Sequence, residues 1–195
     1  ISLAGAHRQQ PGAATSPYGL DVNGAPGLAG FEGYGGPERK AVFQALLDRP
    51  RANAFERAYA ARQNESMQIQ SVVSAALGAA PALATPFPAT PFGRKLETVA
   101  TMIAARGSIG HARQVFFVGM GDFDTHAHQV QLQPGLFADL SAGIAAFQAA
   151  MEELGVAPDV TTFTASDFGR TLTTNGKGTD HGWGSHHLVV GGAVR

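Results

Sequence analysis

Apolar residues recur with two periods in the second half of this chain. Leu96, Val99, Ala100, Ile103 and Ala104 follow i, i+3, i+4, i+7, i+8, the stripe of a helix packed on one face, and Gly107 and Gly110 stop it. Phe137, Leu140, Ile144, Phe147, Met151 and Leu154 form a second stripe, ended by Gly155. Helices are therefore expected around 94–106 and 134–154. Between them, residues 115–120 run without a charged or polar side chain, as a strand covered on both faces would. The β-branched stretch 160–164 and residues 188–190 read as further strands. Helix and strand alternating over short connections predict a layered α/β/α fold with a mainly parallel sheet, the helices packed on it through their stripes.

The first half is less regular. Residues 5–37 hold Pro11, Pro17, Pro26 and Pro37 and a Gly33-Tyr34-Gly35-Gly36 cluster, and read as a long loop or lid. Pro37 suits a first helical position, with a short helix over 41–47 ending before Pro50. Residues 52–77 lack Gly and Pro and are mostly helix-forming, but Phe55, Tyr59, Met67 and Val73 are sparse, which fits two helices or one partly exposed helix. Four prolines make 78–92 a connector. Segment 1–92 is thus an irregular and helical part of the same domain as 93–195, the α/β core.

Composition narrows the function classes. A formal net charge of −1 leaves no broad electrostatic footprint for nucleic acid or anionic membrane. With no cysteine there is no disulfide, zinc-thiolate site or thiol nucleophile. No apolar run approaches the roughly 20 residues that span a bilayer. The chain opens on Ile1 and closes on Arg195 soon after a strand-like run, which reads as a fragment of a longer protein.

Candidate chemistry gathers where the expected strands end. Five of the seven histidines lie between 126 and 187, which makes a metal-assisted site the leading expectation. Asp124-Thr125-His126 follows a strand and a glycine-containing turn, with His128 four residues after Asp124. Carboxylate and neutral imidazole together suit Zn²⁺, and oxygen-richer sets suit Mn²⁺ or Ca²⁺. Asp124 could equally brace its own turn. Asp167 stands just past a strand, as a rigid ligand or as a turn residue. Arg170 could clamp an oxyanion, though pairing with a nearby acid is slightly favoured. Asn175-Gly176 reads as a tight turn with no assigned chemistry. In Asp180-His181-Gly182-Trp183-Gly184, two glycines around an aromatic imply backbone held close to something, with His181 on a short rigid loop. Of His186 and His187 only one is expected to face the site. Trp183 fits core packing and substrate stacking equally well.

These motifs resemble a known family. Residues 115–118 running into Phe123-Asp124-Thr125-His126 and Gln129, then Thr164-Ala165-Ser166-Asp167-Phe168-Gly169-Arg170-Thr171, then 178–184 with His186-His187, are similar to DUF1501 proteins over about residues 93–195, with a weaker match upstream. These are bacterial proteins, usually exported by the twin-arginine route, with no established common activity. That family is similar in turn to the alkaline phosphatase and sulfatase superfamily. The resemblance implies an alkaline-phosphatase-like fold, here its C-terminal-side fragment, and a divalent-metal site with zinc first and manganese or calcium as alternatives. Asp124 with His126 or His128, Asp167 and His181 would be ligands, and Arg170 would steady charge on the substrate. Phe168 departs from the superfamily, standing where a ligating histidine would be, so that one metal would lose a ligand or borrow one from Asp180, His186 or His187. The nucleophile would lie upstream of Ile1. The implied function is a periplasmic or extracellular hydrolase of small-molecule or polymer phosphate or sulfate esters. The alternative is a non-catalytic exported binding or structural protein that kept the fold and one metal.

Overall fold

A computed structural model describes residues 1–5, 12, 18–111 and 113–195. Of the loop expected over residues 5–37, residues 6–11 and 13–17, with Pro11 and Pro17, lie outside the described residues. The chain divides into two compact units, Ile1–Ala80 with Ala105–Val115, and Pro81–Ala104 with Phe116–Arg195.

The first unit is built on two helices, α1 (Gly36–Leu47) and α2 (Ala54–Gly78). Pro37 sits in the first turn of α1, where its missing N–H costs nothing. Gly36 is required there, because a Cβ would meet the Phe31 carbonyl oxygen at 2.4 Å. Asn53 caps α2 by accepting from the Phe55 and Glu56 amides at 2.8 and 3.4 Å. The two helices are linked by Gln44 donating to Asn64 at 2.8 Å. Of the two readings of 52–77, the single helix holds: Val73 is buried while Phe55 and Tyr59 are exposed. A short helix, α4 (Arg106–Ile109), ends on Gly110 in the left-handed conformation.

The second unit carries the candidate chemistry. α3 (Pro91–Ala104) buries Phe92, Leu96, Val99, Ala100, Met102 and Ile103, and packs against α5 (Gln129–Glu153). The two approach closely at Gly143, where a Cβ would lie 2.7 Å from the Phe92 ring. The α5 stripe is core only over Ile144, Phe147 and Met151, with Ala150 buried beside them; Phe137 is 53% exposed. α5 ends in a Schellman motif, with Gly155 N–H on the Glu152 carbonyl and Val156 N–H on that of Met151. Glu153 folds back to accept from the Ala84 and Thr85 amides and the Thr85 hydroxyl at 2.6–2.8 Å, pinning the proline-rich connector. These hydrogen bonds, that from the Thr85 hydroxyl foremost, hold its carboxyl below the usual range.

The expected parallel sheet is overturned. Among the described residues there are two separate two-stranded antiparallel sheets. One pairs β1 (Thr161–Phe163) with β4 (Val189–Gly191), in the register Thr162 opposite Val190. The other is a hairpin of β2 (Gly169–Thr174) and β3 (Thr179–Gly182), formed where loops were expected. A connection of four residues between β2 and β3 can only return antiparallel, whereas parallel neighbours need a long crossover. The strand expected over 115–120 does not form; those residues are irregular apart from a bridge at Phe117, and Val115 is 75% exposed. Carbonyls of that run go elsewhere: the Ile1 ammonium takes that of Val115 at 2.8 Å, and Lys95 Nζ takes that of Gly119 at 2.7 Å. The helices, correspondingly, pack on each other instead of on a layered sheet. An alkaline-phosphatase-like architecture is therefore not what this chain adopts.

Phe147→Ala should lower stability by about 3–5 kcal/mol in urea unfolding, since the ring is buried between helices; a loss under about 0.5 kcal/mol would mean the stripe is not a core face. Because the Glu153 carboxyl is depressed on folding, its contribution is complete above the unfolded carboxylate pKa and disappears as pH falls through the lower folded one. Glu153→Gln should flatten the acid limb of the stability–pH curve, and an unchanged limb would show that these hydrogen bonds carry no net stability.

Candidate metal centre

Two segments of the second unit meet to form the site. The first, residues 121–128, leaves the irregular apolar run and leads into α5. Asp122 and His128 sit at φ 71° and 55°, left-handed values uncommon for side-chain-bearing residues. The second is the β2–β3 hairpin. Arg170 lies opposite His181 in that hairpin and also bridges Gly184, with its N–H on the Gly184 carbonyl at 2.7 Å. Glycine is obligatory at this crossing, because a Cβ on Gly182 would sit 2.6 Å from the Thr171 nitrogen and one on Gly169 2.5 Å from the Gly182 oxygen. The close backbone approach expected around Trp183 is found here, while Trp183 itself is 84% exposed.

The ties between the segments are specific. Arg170 donates to the carbonyl of Thr179 in its own hairpin, to that of Phe123 at 2.6 Å and to Thr125 Oγ1 at 3.4 Å. Thr125 is buried. Gln129 Oε1 accepts from the Thr179 amide and hydroxyl at 2.7 and 2.9 Å. Arg170 therefore spends its fork on backbone and hydroxyl oxygens, and joins the site as a brace.

Held this way, Asp124 Oδ1 lies 2.7 Å from His181 Nε2 and 3.0 Å from His126 Nε2. His126 Nδ1 lies 3.0 Å from Asp180 Oδ1. Asp124, His126 and His181 offer ligand atoms all within 4.8 Å of one another. His181 hydrogen-bonding, followed by the charge of the nearby imidazoles, holds the Asp124 carboxyl below its ordinary range; His126 and then Asn175 do the same for Asp180. A neutral imidazole donates from one nitrogen only. If His126 gives its Nδ1–H to Asp180, its Nε2 lone pair faces the Asp124 oxygen, and a proton or a metal cation must lie between these two acceptors. Metal-bound histidines characteristically give their other N–H to a carboxylate in this way. Bonds of about 2.0–2.2 Å to zinc set neighbouring ligand atoms roughly 3–3.5 Å apart, so ligand atoms within 4.8 Å of one another would have to rearrange to hold an ion.

Three of the five metal-ligand candidates thus come together. Asp167 is exposed in the turn before β2 and stands outside the cluster. His128 opens α5, its carbonyl taking the amides of Gln131 and Leu132, and its ring is not a member either. His186 and His187 are exposed, His187 beside Ser185 Oγ at 3.2 Å. Phe168, which stands where a ligating histidine was expected, stacks face to face on His181, with centroids 4.0 Å apart and planes at 10°, and the Arg170 guanidinium lies 5.3 Å from its ring centre. Sequence reasoning gave Asp180 only a fallback role and Asn175 none. The signal available for Asp180 was its place beside His181 on one short motif.

Residues 39–195 match the family described as "Protein of unknown function (DUF1501)". The chain belongs to that family. No curated protein and no solved structure matches it. The site of this DUF1501 protein, with Asp124, His126, Asp180 and His181, lies inside the matched span.

Arg170→Lys should cost about 1–3 kcal/mol, because an ammonium cannot reach the three acceptors that the fork spans. Urea unfolding measures the loss, and an unchanged midpoint would remove Arg170 from its bracing role.

Proposed function

We propose that this DUF1501 protein holds a divalent transition metal, zinc first, through Asp124, His126 and His181, and acts as an exported metal-dependent hydrolase of phosphate or sulfate esters. The observation that carries the reading is the Asp124 carboxylate shared by two imidazoles, one of them backed by Asp180. Three protein ligands on an exposed cluster leave a coordination position open, the pattern of catalytic rather than structural zinc. A bound cation would supply Lewis acidity to a phosphoryl or sulfuryl oxygen and lower the pKa of a coordinated water. The protein's own part is to aim the imidazoles and to keep Asp124 ionised. No helix among the described residues is long and apolar enough to cross a membrane.

A second reading, a non-catalytic exported binding protein that keeps one metal, draws on one observation. Arg170, the expected charge clamp, is committed to Phe123, Thr125 and Thr179.

Metal analysis of purified protein after zinc or manganese addition tests the metal site. About one equivalent is expected in the wild type, with large losses in His181→Ala and Asp124→Asn; equal content in all three would defeat the assignment. Hydrolysis of aryl phosphate and aryl sulfate by the metal-loaded protein then separates the two readings. Activity lost in His181→Ala supports the hydrolase, and metal without activity supports the binding protein.

A further inference from the structure

The hairpin turn contains a side chain whose hydrogen bonds exceed what a turn requires. Asn175 Oδ1 accepts from the Lys177 and Gly178 amides at 2.9 and 2.8 Å, the ordinary closure of an Asx turn. Its Nδ2 turns the other way, donating to Asp180 Oδ1 at 2.8 Å and to the His126 carbonyl at 3.1 Å. Two N–H groups on one side and two oxygens on the other fix the amide orientation, since a flip would set donors against donors and acceptors against acceptors. All four hydrogen-bonding positions of the amide are used.

We infer that Asn175 is a positioning residue for the metal site, holding the Asp180 carboxylate against His126 Nδ1 so that His126 Nε2 is presented towards Asp124 and His181. The inference rests on the metal reading above and deepens it. Asp180 Oδ1 receives both the Asn175 amide and the His126 ring nitrogen, so the amide fixes where that oxygen stands. The second Asn175 donor bond, to the His126 backbone, sets the position from which the ring projects. Only a short amide serves both halves of the arrangement. Aspartate would keep the acceptors that close the turn but set one carboxylate against another, and serine would weaken the turn and lose the second donor.

Asn175→Asp is thus the discriminating variant, because a role confined to the turn predicts no effect from it. Two readouts separate the inference from the reading beneath it. In zinc-free protein labelled with ¹⁵N-histidine, His126 is expected to carry a proton on Nδ1 in the wild type, with the signal of that proton weakened in Asn175→Asp. In zinc titrations, affinity should fall by about tenfold in Asn175→Asp, in line with outer-sphere partners of metal ligands. Unchanged His126 nitrogen shifts and unchanged zinc affinity in the variant would overturn the inference while leaving the metal site standing. A wild type that binds no zinc would overturn the metal reading, and the nitrogen shifts would still decide what Asn175 does to His126. If Asn175→Asp fails to fold, Asp180→Ala, which leaves the Asn175 turn bonds in place, carries the same two measurements.

Discussion

The site depends first on the guanidinium of Arg170. Asp124 and His126 come from an irregular stretch ahead of α5, and His181 comes from a hairpin 57 residues further on. Neither segment is rigid by its own secondary structure. The first has no strand to hold it, and a lone two-stranded hairpin is marginal in water. Arg170 belongs to the hairpin by its backbone and to the first segment by its side chain, and Gln129 adds a second tie at Thr179. Guanidinium geometry suits this work, since it presents several N–H groups in a fixed fork. The same commitment withdraws Arg170 from substrate, so one residue cannot be both the brace and the clamp.

Within that frame the electrostatics are nearly self-contained. Two carboxylates alternate with two imidazoles, Asp180 to His126 to Asp124 to His181, and the far face of His181 is closed by the Phe168 ring. Each carboxylate is favoured in its charged form by the hydrogen bond it receives. Phe168 prevents His181 from turning away by contact alone, with no polar partner. Phe168 thus supports the His181 ring from the position where a ligating histidine was expected.

The helices were legible in the sequence because their signal is local. The stripe through Leu96, Val99 and Ile103, the stop at Gly155 and the start at Pro37 each depend on neighbours a turn away, and each is found. Strand pairing depends on a distant partner, and there the reading failed. An apolar run such as 115–120 states only that its side chains are suited to burial; whether its backbone joins a ladder depends on which groups take its carbonyls, here Lys95 and the Ile1 ammonium. The hairpin 169–182 was hidden for the opposite reason. Its strands are glycine, threonine and charged residues with no apolar alternation, and only Asn175-Gly176 announced a turn. At the site, Asp124, His126 and His181 were legible as residue types beside glycines. Asp167 was misleading because a carboxylate in a Ser-Asp turn looks the same whether it faces a ligand or solvent.

The hairpin's register explains why the metal-ligand residues and the turn are one mechanical unit. Pairing is regular at Gly169–Gly182 and Arg170–His181, breaks before Thr174, and resumes at Thr174–Thr179. An irregular register turns side chains away from simple alternation. That break separates the backbone crossing at Gly182 from the turn at Asn175, so the turn must be tied back by other means, and the Asn175 amide supplies them at Asp180 and His126. A cation held by Asp124, His126 and His181 would add a further tie between hairpin and loop. Because such an ion binds the folded arrangement and not the separated segments, its binding free energy would appear as stability of the hairpin against the rest of the unit. Metal affinity and hairpin order would then be two measures of one equilibrium, set by the same few side chains.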